Sequence, residues 1–379
     1  MKKIIFALIG SILLLSSCNT DLDVLAPYKD IPSVYGILNQ NDSIHFIRIS
    51  KAFLGRQDAS VMAQVPDSSQ YPINALEVRI FEFDDKNNQK RIFTLKDTLI
   101  TNKETGYFYS PNQLVYYFTT VANSRLNQDY SYLLEIKNKL TGQTIFSSYD
   151  DINKKPLPVQ MVNSFNIINP MNNPATPIVF YSGSKQSDYT VKWTSAKDGL
   201  LYDLYMNMHY IAVNKNSNDS IRNIITWKFA KILGTDLKGT RDLEYKITPD
   251  IFYDKVLNEL QSKAYFKDNF FIVLDTLNFR WDVAGEDLAT FIQVADPGTS
   301  IIQERPVFSN VRAQNSDGKI EKAIGIFSTR YSQFIFERAI HINTARELKR
   351  LATDRNIDIT RVRLYNNNNN PPNLHIIDI

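Results

Sequence analysis

Tyr130-Ser131-Tyr132-Leu133-Leu134-Glu135-Ile136-Lys137 sets Tyr130, Tyr132, Leu134 and Ile136 on one face and Ser131, Leu133, Glu135 and Lys137 on the other. That period of two describes a strand with one side buried. Thr141-Gly142 then turns the chain into a second strand over 143–148. Working back from this hairpin, short period-two segments recur at 34–38, 44–50, 76–83, 91–95 and 115–118, with turn residues between them. The spacing Leu126-x3-Tyr130-x-Tyr132-x-Leu134 is that of a late sandwich strand entered through a tyrosine corner.

Seven short strands between about 29 and 155, with no helical period, give the signature of an immunoglobulin-like β-sandwich. Five of the fifteen prolines fall between Pro156 and Pro177, a stretch that builds neither a helix nor a sheet interior and reads as a connection between domains. Residues 178–379 are strand-rich again. Tyr189, Val191 and Trp193 alternate with polar neighbours, as do Tyr202 to Tyr210, Ile225 to Phe229 and Leu277 to Val283. Two helices are expected there. Thr248-Pro249-Asp250 is a start signal for a helix near 249–262, with Phe252, Val256 and Leu260 on one side. Leu348, Leu351 and Ala352 mark another near 344–353. The fold class is therefore mainly β: the sandwich, then a larger antiparallel β domain with about two helices. Asn366 to Pro372 is a low-complexity loop.

The N-terminus has the anatomy of a secretory signal. Lys2 and Lys3 precede an apolar run from Ile4 to Leu15, too short for the roughly 20 residues of a spanning helix. Leu15-Ser16-Ser17-Cys18 resembles a bacterial lipobox, and Cys18 is the single cysteine of the chain. That resemblance implies removal of residues 1–17, diacylation of the Cys18 thiol and acylation of its amine. Residues 18–28 are then a lipidated tether. Each buried acyl methylene contributes about 0.8 kcal/mol, and two or more chains hold a protein stably at a membrane. Asn19 in place of aspartate points to the outer membrane, and Asp21 and Asp23 resemble an acidic surface-export signal interrupted by Leu22. Whether the domains face the periplasm or the outside is left open by these residues.

Composition excludes some functions. Loss of Lys2 and Lys3 with the signal lowers the formal charge from +3 to +1, so nothing in the balance calls for nucleic acid. Signatures of nucleophile elbows, zinc helices and Cys-x-x-Cys pairs are absent, and no cofactor or metal motif is present. Gly234-x4-Gly239-Thr240-Arg241 lacks the lysine of a phosphate loop. His45, His209, His341 and His375 are scattered, and Asp84-Asp85-Lys86-Asn87-Asn88 reads as a hairpin turn in preference to a calcium loop. Trp193, Trp227 and Trp281 lie in register with apolar residues and belong to the core. The basic run Arg346, Lys349, Arg350, Arg355, Arg361 and Arg363, with an Arg350–Asp354 pair, reads as a solvated face.

The lipobox, the Val34-Tyr35-Gly36-Ile37-Leu38 strand, the Tyr130 strand with Thr141-Gly142-x3-Phe146-Ser147-Ser148, the run Arg305-Pro306-Val307-Phe308-Ser309-Asn310-Val311 and Gly325-Ile326-Phe327-Ser328-Thr329-Arg330-Tyr331 together resemble a group of Bacteroidota outer-membrane lipoproteins. The group pairs an immunoglobulin-like N-terminal domain with a larger β domain and is often encoded near TonB-dependent receptors. Where it tends to have a glycine-rich stretch, this chain has Ser316-Asp317-Gly318-Lys319. The resemblance implies a lipid-anchored accessory or binding protein, non-enzymatic, with an outer-membrane protein as partner. It carries over no catalytic residue. A hydrolase assembled from distant acids is the rival reading, with Asp275, Asp282, Glu286 and Asp287 as its first candidates; a structural or adhesive module is a third. For binding, the loops Arg56–Tyr71 and Asp296–Arg305 are the expected surfaces.

Overall fold

The computed structural model describes residues 30–52, 58–106, 108–121, 124–150, 152–153, 155–263, 269–296, 308–366 and 373–379. Residues 1–17, Cys18 and the tether to 28 lie outside the described residues. In the first half the strands are β1 (Pro32–Asn39), β2 (Ile44–Lys51), β3 (Leu76–Phe83), β4 (Gln89–Thr94), β5 (Lys96–Ile100), β6 (Gln113–Thr119), β7 (Ser131–Asn138) and β8 (Thr144–Ser147). All but β5 follow the alternation of the sequence. In the turn between β3 and β4, the Asp84 carboxylate accepts from the backbone N–H of Lys86 and Asn88 at 3.0 and 2.8 Å, and Asn87 takes a positive φ of 63°. That is a closed hairpin turn.

The second half contributes β9 (Tyr189–Thr194), β10 (Leu201–Asn214), β11 (Ser220–Leu233), β12 (Asp242–Ile247), β13 (Phe270–Ala284), β14 (Val311–Gln314), β15 (Ile320–Lys322), β16 (Ile324–Arg338), β17 (Ile359–Asn366) and β18 (Asn373–Asp378). Two short helices, α1 (Ala59–Ala63) and α2 (Pro66–Ser69), occupy the stretch expected to be a loop between 56 and 71. Three longer ones follow: α3 (Pro249–Gln261), α4 (Glu286–Ala295) and α5 (Ile342–Thr353). The helices expected near 249–262 and 344–353 are α3 and α5, and α4 lies between them. Gly285 caps it, and Glu286 and Asp287 sit in its first turn, where acids favour the positive end of the helix dipole. Ala289 of this helix is buried, and Leu288 and Ile292 pack beside it against Leu201 and Ala284. Beyond Asp296 the second expected loop lies outside the described residues.

Two sheets carry the architecture. The larger runs β11-β10-β13-β16-β1-β2-β6-β5, with β17 and β18 attached at β13. The other runs β15-β14-β8-β7-β3-β4. Strands from both halves of the chain therefore enter both sheets. β1 lies parallel to β16, with Ser33 opposite Ile324 and Asn39 opposite Arg330, whereas β14 lies antiparallel to β8. The close approach of β1 and β16 needs glycine. Gly325 has φ +116°, and a Cβ there would stand 1.9 Å from the Val34 carbonyl oxygen.

Two cores result. One is drawn wholly from residues between Val162 and Val362, and includes Trp193, Trp281, Phe180 and Phe252. Trp227 packs against it partly buried. The other fills the space between β1, β2 and β6 on one side and β3, β7 and β8 on the other. It is closed by Val311, Ala313, Ala323 and Phe327 from the second half. At its edge the Tyr132 hydroxyl accepts from the Asn127 N–H at 2.7 Å, as a tyrosine corner requires, and donates to Glu82 Oε1 at 2.8 Å. Glu82 is buried and takes the fork of Arg91 on both oxygens. Tyr202 makes a similar reach in the second half, accepting from the Ala196 N–H at 2.8 Å.

Candidate functional site

The β1–β2 hairpin turns Val34, Ile47 and Ile49 inward. Alternation then places Tyr35 and Arg48, which are register partners, on the opposite face beside Ser33 and Ser50. On that face lies a cleft of about 430 Å³, within the size range of ligand sites. Ser69 and Gln70 at the end of α2 form one wall. Lys103, Phe108 and Tyr109 of the β5–β6 connection form another, and Ile324 reaches in from β16. Hydrogen bonds fix the connection: the Tyr109 N–H donates to the Ala63 carbonyl at 2.9 Å, and Gln64 Nε2 donates to the Gly106 carbonyl at 3.0 Å.

Among the described residues three cations line the cleft, and no carboxylate does. The Arg48 guanidinium sits 4.5 Å from the centre of the Tyr35 ring, Lys51 Nζ 5.7 Å from that of Tyr71 and Lys103 Nζ 5.8 Å from that of Phe108. Lys103 also donates to the Tyr109 carbonyl at 2.6 Å. Among the described residues none of the three stands within ion-pairing distance of an acid. Burial, and then the charge of Arg48, holds the Lys103 ammonium below the usual lysine range. Cations gathered without a counter-charge weaken the unliganded protein. Such a site can bind an anion by charge and a ring by its aromatic walls.

A smaller cleft of about 230 Å³ lies where the halves meet, lined by Pro158, Gln160, Asp198, Glu286, Asp287 and Thr329 among others. Burial pushes the carboxyl of Asp198 up, with Lys197 opposing and Glu286 adding to the rise. It also pushes Asp287 up, against the hydrogen bond from Asn310 Nδ2 at 2.8 Å. Of the four acids singled out in the sequence, the fold brings together Glu286 and Asp287 and adds Asp198. The other two are engaged elsewhere. Asp282 accepts from Ser332 Oγ at 2.9 Å and faces Arg280 at 3.1 Å, while Asp275 faces Arg363 at 3.1 Å. Among the described residues no three acids, histidines or cysteines are placed to hold a metal ion.

The basic run is corrected in one detail: Arg350 pairs at 2.7 Å with Glu347, on the turn before it, where Asp354 on the turn after it was expected. Arg355 and Arg361 are held by Asp254 and Asp378. Arg48, Lys51 and Lys103 escaped sequence reasoning because Lys103 joins the others only through the long β5–β6 connection. Arg48 alone left a trace, as a cation on the outward face of an amphipathic strand.

No family model matches the chain, and no curated protein matches it. Among solved structures, the C-terminal globular domain of an oligosaccharyltransferase from Pyrococcus abyssi is similar to 65% of this chain and 47% of its own, at 11% identity and a TM-score of 0.21. The chain thus spans about half of that domain's length, and a likeness this distant carries no functional argument. Among the described residues no helix is long and apolar enough to cross a membrane.

Proposed function

We propose that the protein is a lipid-anchored accessory protein of the outer membrane that acts by binding and catalyses no reaction. The single observation that carries this reading is the cleft on β1 and β2, where Arg48, Lys51 and Lys103 face a common space without acidic partners among the described residues. An enzyme needs a base and a nucleophile in mutual reach, whereas a capture site needs complementary charge and shape. The lipobox at Cys18 supplies the anchor, and the resemblance to receptor-associated lipoproteins supplies the partner, an outer-membrane protein. The first half is immunoglobulin-like in this reading, supported by the tyrosine corner at Tyr132 and the two facing sheets.

Purification of the native lipoprotein from detergent-solubilised outer membrane tests it. A receptor should co-purify in stoichiometric amount from the wild type and be lost when Cys18→Ala blocks lipid labelling. Co-purification of nothing beyond traces, with lipid attached normally, would remove the accessory role. A second reading, hydrolysis at the junction cleft, is favoured by the raised carboxyls of Asp198 and Asp287. It predicts a measurable hydrolysis that Asp287→Asn abolishes without unfolding the protein.

A further inference from the structure

We infer that the cleft on β1 and β2 takes a small ligand carrying a phosphate monoester beside a flat, apolar ring. The inference rests on the binding reading above and names the chemistry of what is bound.

Charge comes first. Arg48, Lys51 and Lys103 bring three positive charges to a space with no carboxylate in its lining among the described residues. A neutral ligand would leave this repulsion standing, and a single carboxylate would offset only part of it. A phosphate monoester brings up to two negative charges and three acceptor oxygens on one centre. The planar Arg48 fork and the ammonium groups of the lysines suit those oxygens, as fork and point charges respectively. Ser33 and Ser50 line the same cleft and add hydroxyl groups.

Shape decides between phosphate sources. Inorganic phosphate would leave most of about 430 Å³ empty and would not use the rings of Tyr35, Phe108 and Tyr109. Phe108 is 53% exposed, an arrangement that leaves an apolar ring in water until something covers it. A polyanion would need a track of cations leading out of the cleft. The chain carries 43 Lys and Arg against 40 Asp and Glu, and among the described residues the cleft is lined by no cation beyond Arg48, Lys51 and Lys103. The favoured occupant is therefore a small phosphorylated ring compound, held by its head on the cations and by its ring on the aromatic walls.

Titration calorimetry on the full mature chain with phenyl phosphate, inorganic phosphate, phenol and heparin provides the test. Phenyl phosphate should bind at least tenfold more tightly than inorganic phosphate, and phenol should not bind measurably. Arg48→Ala and Lys103→Met should each weaken phenyl phosphate at least tenfold while leaving the unliganded thermal midpoint equal or higher, because each removes a repelling charge. Phe108→Ala should erase the preference for phenyl phosphate over inorganic phosphate. Affinity should fall as pH rises through the lowered titration range of Lys103, with proton uptake on binding in that range. Equal affinity for phenyl phosphate and inorganic phosphate, or a preference for heparin untouched by Phe108→Ala, overturns the ligand class and leaves anion capture standing. Failure of every anion to bind the folded wild type overturns both.

Discussion

The two cores differ in where their residues come from. The buried residues of the second half's core lie between Val162 and Val362, and the partly buried residues packed against it, Leu364, Ile377 and Ile379 among them, also come from the second half. The core of the first half is open without Val311, Ala313, Ala323 and Phe327, which arrive 164 to 180 residues after Ser147, the end of its own last strand. Both have a buried tyrosine that reaches back to an upstream N–H, but Tyr132 is also tied to the buried Glu82, which Arg91 holds, whereas among the described residues the Tyr202 hydroxyl bonds to backbone groups. The lesson is that a run of well-patterned strands does not by itself make an independent unit. The first half holds most of the cationic cleft, and its lining includes Ile324 from the second.

The comparison can be broken most severely at Gly325. Alanine there meets the Val34 carbonyl at 1.9 Å and sits at a strained φ, so β1 and β16 must part. A loss of about 3–5 kcal/mol is expected from denaturant titration. Amide exchange should rise first in β1 and β2, while β10 and β13 stay protected. Next in size is Arg91→Met, which leaves Glu82 buried and unpaired, with an expected cost of about 3 kcal/mol. Combining it with Glu82→Gln should recover part of that loss, because the uncompensated charge is then gone.

The two tyrosines sharpen the contrast. Tyr132→Phe strands the Asn127 N–H and removes one of the two donors to Glu82 Oε1, and should cost about 2–3 kcal/mol. Tyr202→Phe strands the Ala196 N–H and should cost about 1–2 kcal/mol. Equal losses in chemical denaturation would mean that the ionic support of Tyr132 adds nothing.

The smallest effect is a gain. Asp198 titrates above its ordinary value because it is partly buried, so the folded protein holds this proton more tightly than the unfolded chain does. Stability contributed by the protonated form is then present at low pH and lost as pH rises through the raised value. Asp198→Asn keeps a residue suited to φ +60° and removes the buried charge. It should raise the thermal midpoint by roughly 1–3 °C at pH 7, with the gain vanishing near pH 4. A gain independent of pH would assign it to the turn and not to the carboxyl.

Much of the fold was legible because alternation in β1, β2, β3 and β7 is a local property, and so were the proline start of α3 and the turn at Asp84. β5 escaped because Lys96-Asp97-Thr98-Leu99-Ile100 has one clear apolar pair and no alternation, and it is an edge strand that pairs only with β6. The insertion of β14 and β16 among first-half strands left no local trace at all, since pairing between segments about 170 or more residues apart is decided by shape and closure. The site was legible to a lesser degree. Glu286 and Asp287 were visible as acids, but Asp198, in an Asp-Gly turn, was not, and the cations of the cleft meet only in three dimensions.

The dependence of the first core on the second half is tested most directly by a fragment of residues 30–161, followed by urea denaturation with tryptophan-independent far-ultraviolet circular dichroism. Burying a side chain such as Val311 or Phe327 contributes about 1.5–3 kcal/mol each, and losing both takes away much of the 5–15 kcal/mol that holds a typical domain. The fragment should show no cooperative transition alone and regain one when the segment 308–338 is joined to its C-terminus by a flexible linker. A cooperative transition of the bare fragment, at the midpoint shown by the same strands in the whole chain, would contradict the account.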